Sequence, residues 1–345
     1  MADKKRVFIH IGAPKTGTTF LQRVLKQNSE AMAQAGVLYP KLRHEAHHTA
    51  VWALRKTFDD TDKGAAFANH WDRLVRQSRG WTGDTVVISS ELFCFSRGPT
   101  LTKVLTAFGD AEVHVVYTAR DLIRQVPAVW QEQVKNRQDM PYQDFLADVL
   151  GDSTSALSRL FWGGQNARAV LARWSKRLDH AHVHVVTAPP PGSPPGLLWE
   201  RFASVVGLDA ARYASDIPPA NTSLSITAAE SLRRYNARFA EDLPILEYRK
   251  IIRRQLDPAF AHTLRDSSKF PLTMAQRSRI HELSEQMVDG VRRGGYDVVG
   301  SLDDLAPAPR HGDDSTPGGG PDSLSDTQIM EALLDVVNYL LRRPG

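Results

Sequence analysis

The stretch HIGAPKTGTTFLQ, residues 10–22, places two glycines, one lysine and three threonines between Gly12 and Thr19. Gly12 and Gly17 have the spacing of a Walker A loop, G-x-x-x-x-G-K-S/T, but Thr18 stands where that loop has its lysine. The loop's own lysine, Lys15, lies inside the turn. A glycine-containing turn that opens into a helix offers free backbone N–H groups at the positive end of the helix dipole. Thr16, Thr18 and Thr19 add hydroxyl donors, and Pro14 stiffens the approach to the turn. The set reads as a receptor for a phosphate-like anion. Lys15 would point at that anion from the curve of the loop, away from the position that bridges β- and γ-phosphates. The apolar run TVVIS (85–89) ends in Ser-Ser-Glu and supplies no convincing Walker B carboxylate for magnesium. An ordinary strand-to-helix turn with threonine caps is the plainer alternative, and it leaves the coincidence of Gly, Lys and Thr unused.

The elements that must position these residues are legible as runs. RVFIHI (6–11) reads as a buried strand, and TTFLQRVLKQNSEAMAQAG as a helix with Phe20, Leu21, Val24, Leu25 and Met32 near one face and Gly36 as its stop. TVVIS (85–89), VHVVYT (113–118) and VHVVT (183–187) are further strand-length runs, separated by helical patterns around 64–79, 122–136 and 155–178. Alternating strands and helices predict an α/β fold, a mostly parallel sheet flanked by helices. Ligands in such sheets bind at the carboxyl ends of the strands, which residues 12–19, 90–94 and 119–125 reach.

Composition narrows the function classes. The 345-residue chain is 42% hydrophobic and 24% charged, with net charge +4 and no long lysine or arginine run. Nucleic acid is not implied, while a basic pocket for a small polyanion is compatible with this balance. A single cysteine, Cys94, excludes an internal disulfide framework and a cysteine-based zinc site. The apolar run after the basic start MADKKR is too short for a signal-peptide core or a membrane span, and no other segment approaches one. The expectation is a soluble, cytoplasmic protein without a transmembrane segment.

APKTGTTFLQ resembles the 5′-phosphosulfate-binding loop of sulfotransferases that use 3′-phosphoadenosine 5′-phosphosulfate (PAPS), P-K-S/T-G-T-T/S directly after the first strand. GVLYP, VVISSE, VVYTARD, AVWQEQVKNR, LLWERFASVVGLD, NTSLS and GYDVVGSLDDLAP follow in the order of that family's bacterial branch, over residues 6–306. The resemblance implies the sulfotransferase version of the P-loop fold and PAPS as donor substrate, with no metal. It implies that residues 14–19 (Pro14, Lys15, Thr16, Gly17, Thr18 and Thr19) hold the 5′-phosphosulfate, and that Lys15 stabilises the leaving oxygen. Glu91, just past TVVIS, takes the place of the family's catalytic histidine and would be the base. His47 and His48 are rivals for that role, and His10 reads as structural. Arg120 matches the family's 3′-phosphate arginine. The matching serine position holds Ala128, a departure, and Arg124 or Gln125 would supply the contact instead, with Pro127 starting a helix there. Ser223 in NTSLS would add a further donor contact. The family's C-terminal Lys-Gly motif is missing, and EYRKIIRRQL (247–256) either replaces it or is a solvated basic face.

Three regions are expected: a sulfotransferase domain (1–305), a flexible Pro/Gly/Asp-rich linker (306–323) and a C-terminal amphipathic helix (324–345). In that helix Ile329, Leu333, Val337, Leu340 and Leu341 form one apolar stripe, with Ser325 and Asp326 as caps. The helix either docks on its own domain or contacts a second copy or another partner. Trp130, Trp174 and Cys94 read as core. The acceptor class stays open among small molecules, glycans and lipids. Two other functions fit the loop: a P-loop kinase or nucleotide transferase, and a non-catalytic module binding adenosine 3′,5′-bisphosphate (PAP).

Overall fold

The computed structural model describes residues 4–42, 47–56, 62–217, 223–264, 269–306 and 320–342. The chain is α/β and divides into two compact units. The first comprises residues 1–121, 162–218 and 283–307, and the second residues 122–161, 219–282 and 308–345.

In the first unit six strands form one sheet in the order β2-β3-β1-β4-β5-β6. They are β1 (Arg6–His10), β2 (Val37–Leu38), β3 (Thr85–Ser89), β4 (Glu112–Ala119), β5 (Val183–Thr187) and β6 (Asp297–Val299). Every pairing is parallel. The central strands are unbroken apolar runs because both faces of a parallel sheet are covered. Val7, Phe8, Ile9, Val86, Val87, Ile88, Val115, Val116, Val185 and Val186 are all buried. The edge strands β2 and β6 are two and three residues long and carry no periodicity to read. Phe8, Val87, Val116 and Val186 share one core with Leu21, Val24 and Leu25 of helix α1 (Thr18–Gln27) and with Trp199, Phe202 and Val206 of the helix Leu197–Val206.

Three expected helices are interrupted. The first ends at Gln27, and a second short helix runs Ser29–Gln34 before Gly36 turns the chain at φ +84°. The pattern at 64–79 divides into Asp62–Phe67 and His70–Gly80. That at 155–178 divides into Ala156–Gln165 and Ala167–Ser175, where the Asn166 side chain accepts from the Ala169 N–H and starts the second helix afresh. Trp174 and Cys94 are buried, as read.

The second unit is helical. Its helix Leu122–Lys135 begins five residues before Pro127, which therefore lies in the helix interior and does not start it. Trp130 of this helix is buried. EYRKIIRRQL spans the end of the helix Ile245–Ile251 and a π-helical turn, Ile252–Leu256. Residues 307–319 of the expected linker lie outside the described residues. Its end, Pro321–Ser323, is a turn whose Asp322 carboxylate accepts from the Tyr142 and Gln143 N–H groups at 2.9 and 2.8 Å.

The C-terminal helix is Asp326–Arg342. Ser325 and Gln328 form a reciprocal cap: the Gln328 N–H donates to Ser325 Oγ, and the Ser325 N–H to Gln328 Oε1. Its buried face is Ile329, Ala332 and Val336, against the helices Ile226–Phe239 and Asp257–Thr263. Of the expected stripe Ile329 is buried, while Leu333, Val337 and Leu341 are exposed, together with Met330 and Leu334. No helix among the described residues is long and apolar enough to cross a membrane.

Candidate active site

The loop after β1 is built at the carboxyl edge of the sheet. The Ile11 N–H donates to the Val116 carbonyl at 2.8 Å, and the Ala13 N–H to the Thr118 carbonyl at 2.9 Å, so the chain stays attached to β4 as it leaves β1. Gly12 then turns at φ +43°, where a Cβ would lie 2.6 Å from Thr18 Cγ2. Lys15 is left-handed at φ +70°, an unusual conformation for a side-chain-bearing residue, costing about 1–2 kcal/mol. Gly17, at φ +94°, precedes α1, and a Cβ there would meet Leu198 Cδ2 at 2.4 Å. No side chain caps this helix N-terminus. The positive end of the helix dipole therefore faces the loop, where an anion would be favoured.

A buried polar row holds the loop from below. Thr16 Oγ1 donates to the Ala13 carbonyl at 2.7 Å and lies 2.6 Å from Thr118 Oγ1. Thr118 Oγ1 is 3.2 Å from His10 Nε2, and His10 Nδ1 is 2.8 Å from Ser89 Oγ. Burial pushes the His10 pKa down to about 3, so the ring is neutral and serves as a fixed hydrogen-bonding strut. Gln165 Nε2 donates to the Pro14 carbonyl at 3.1 Å from the other side of the loop.

Two further groups meet this loop. Arg120, one residue past β4, donates from Nη1 to the Lys15 carbonyl at 3.1 Å. Glu91 follows β3 through Ser90, whose side chain caps a 3₁₀ turn, Glu91–Phe95. Its Oε2 accepts from Gln22 Nε2 of α1 at 2.9 Å. Glu91 Cβ lies 3.4 Å from the position a Gly12 Cβ would take, so the carboxylate stands beside the turn. Lys15, Glu91 and Arg120 thus come from three neighbouring strand ends: β1, β3 and β4.

The remaining sequence candidates belong to other elements. His47 is buried, with Nε2 on the Pro40 carbonyl at 2.8 Å and Nδ1 accepting from the Ser89 N–H at 3.1 Å. Both ring nitrogens are engaged, and burial pulls its pKa to about 4. His48 packs edge-on against Trp52. Arg124, Gln125 and Ala128 lie on the helix Leu122–Lys135 of the second unit, Gln125 fully buried. Ser223 is an exposed residue ahead of the helix Ile226–Phe239, also in the second unit. Asn221 and Thr222 of the NTSLS motif lie outside the described residues. Sequence reading missed Gln22, Thr118 and Gln165. Thr118 lies two residues before Arg120, near the end of β4, and this nearness in sequence is the signal that could have found it.

Two solved structures align with the chain. A sulfotransferase from Alicyclobacillus acidocaldarius is 19% identical over 72% of this chain and 95% of its own, with a TM-score of 0.41. The sulfotransferase domain from the curacin biosynthetic pathway is 12% identical over 86% of this chain and 100% of its own, with a TM-score of 0.37. No protein-family model and no curated protein matches. At such identities the roles of residues follow from their own geometry.

Proposed function

We propose that this chain is a sulfotransferase that moves a sulfuryl group from PAPS to an acceptor hydroxyl and releases PAP. The observation that carries the reading is Lys15: a lysine held left-handed between two positive-φ glycines, ahead of a helix start that no side chain caps. A lysine inside the turn, rather than after its second glycine, supports a role for its ammonium at the bridge between a 5′-phosphate and its terminal group over one at the far phosphates of a triphosphate.

In the proposed step the acceptor oxygen attacks sulfur in line with the bond to the bridging oxygen. The S–O bridge breaks, and its electron pair stays on the 5′-phosphate of PAP. Lys15 and the amides of residues 16–19 stabilise the charge that builds there. Glu91 takes the acceptor proton, with Gln22 fixing one carboxylate oxygen and leaving the other for the substrate. Arg120, whose Nη1 donates to the Lys15 carbonyl beside the loop, would be the arginine that holds the 3′-phosphate. The positive field comes from lysine, arginine and amides, and no metal is assigned a part in the transfer.

The test is calorimetry of PAP against ATP with magnesium, followed by conversion of PAPS to PAP with a panel of hydroxyl acceptors. Tight PAP binding that collapses in Lys15→Ala, with turnover, supports the proposal. ATP binding without PAP binding would return the kinase reading. PAP binding without turnover on any acceptor would favour the non-catalytic module.

A further inference from the structure

The opposite edge of the same sheet carries a second cluster, unrelated to the loop. β4 opens with Glu112-Val113-His114, and alternate strand residues share a face, so Glu112 and His114 stand side by side. His182 ends the 3₁₀ turn before β5, and His184 is the second residue of β5. Asp297 begins β6. We propose that Glu112, His114 and His182 bind one divalent transition-metal cation, zinc by the chemistry of the set, as a structural site.

Three ligand atoms converge there. Glu112 Oε1 is 2.7 Å from His114 Nε2 and 3.7 Å from His182 Nε2, and all three atoms lie within 4.8 Å of one another. Tetrahedral bonds of zinc to nitrogen and oxygen, about 2.1 Å long, hold ligand atoms about 3.4 Å apart. The two contacts bracket that spacing, so side-chain shifts of under an ångström would admit the ion. Two imidazoles and one carboxylate with a fourth position open to water form a borderline ligand set that suits zinc.

The surroundings point to a ligand more firmly than the three atoms do. His114 Nδ1 is 2.9 Å from His184 Nε2, and His184 Nδ1 is 2.6 Å from Asp297 Oδ2. A carboxylate that orients an imidazole, which orients the next, is the backing that metal-bound histidines use. The row from Glu112 to Asp297 has three hydrogen-bond contacts, while two neutral imidazoles carry two N–H groups. Once Asp297 and His184 have accepted theirs, the lone pair of His114 Nε2 faces a carboxylate oxygen. A cation resolves that contact. A proton would need only Glu112 and His114, whereas a metal also uses His182, whose ring packs 4.5 Å from that of His114. Phe8 stacks on the other side of His114 at 4.6 Å and holds the ring in place. The Glu112 and His182 side chains are 35% and 30% exposed, which gives the ion a path from solvent.

The site is structural because it is remote from the loop. His114 and Arg120 are six residues apart on one extended strand, about 20 Å at the rise of a β-strand. The ion would tie β4 to the turn that starts β5, with β6 engaged through Asp297.

The experiment uses the full chain, stripped with chelator and titrated with zinc by calorimetry and with cobalt by visible absorption. The expected result is one zinc per chain, tetrahedral cobalt bands, and a Tm higher by roughly 4 °C at zinc a hundredfold above its dissociation constant. His182→Gln and Glu112→Gln should each weaken zinc at least tenfold, and metal-free His182→Gln should melt where the metal-free parent does. Glu91→Gln, at the other edge, should bind zinc normally. No zinc binding by the parent, or equal binding by the parent and both variants, would overturn the proposal.

Discussion

β4 begins with Glu112 and His114 and ends with Thr118 and Ala119, just before Arg120, and its two ends present polarity in different ways. At the amino end the polar groups are side chains that answer one another across three strands: carboxylate, imidazole, imidazole, carboxylate. At the carboxyl end they are largely backbone, an uncapped helix start and a turn pinned by Thr16, Thr118 and His10. The first arrangement is complete but for one small cation. The second is organised to receive something larger, because no side chain caps the helix that opens there. The parallel sheet accounts for part of the difference: successive strand ends open into turns that splay apart and leave room for a ligand.

This contrast can be broken most severely at Glu91. Glu91→Gln should lower turnover by about 10²–10⁴ while PAP affinity is retained, the signature of a base rather than a binding group. Unchanged turnover would remove Glu91 from the chemistry and leave the loop assignment standing. Lys15→Ala should cost about 10²–10³ in turnover and also weaken PAP. A loss confined to one of these readouts would separate leaving-group stabilisation from binding.

Acid unfolding sharpens the comparison. His10 and His47, lowered to about 3 and about 4, are neutral in the folded state and titrate at their ordinary 6.5 when unfolded. Between pH 6.5 and 4 the unfolded chain therefore binds more protons, and stability rises with pH. These two groups should add about 2.7 kcal/mol per pH unit to the slope near pH 5, with full stability regained above 6.5. Urea titrations at stepped pH measure it, and His47→Gln should remove about half. The smallest effect expected is at Thr118. Thr118→Val, which strips the partner from His10 Nε2 and from Thr16, should destabilise by about 2 kcal/mol in urea unfolding at neutral pH. An unchanged urea midpoint would mean that the polar row is not what pins the loop.

Much of this molecule is legible where chemistry is contiguous. The loop, its strand and its helix occupy one segment, and the four long strands announce themselves as apolar runs. What escaped was assembled from distant pieces. Thr118 meets the loop through the pairing of β4 with β1, Gln165 reaches it from a helix 151 residues away in sequence, and Gln22 gains its role only through Glu91 of another strand end. The cluster of Glu112, His114, His182, His184 and Asp297 has no motif, since its members are aligned by strand pairing rather than spacing. The C-terminal helix misled for another reason. It carries two apolar stripes, and the buried one is Ile329, Ala332 and Val336, while Leu333 and Val337 are exposed. Helix breaks at Asn28 and Asn166 were hidden by periodicity that continues through them.

The left-handed backbone of Lys15 has a consequence for how this position would respond to selection. A glycine would relax the turn, so Lys15→Gly should fold at least as well as the parent, and the favoured residue for endurance alone is glycine. An alkyl ammonium is kept there against that preference. Libraries screened for thermal survival and libraries screened for sulfated product should therefore rank the residues at position 15 in opposite orders.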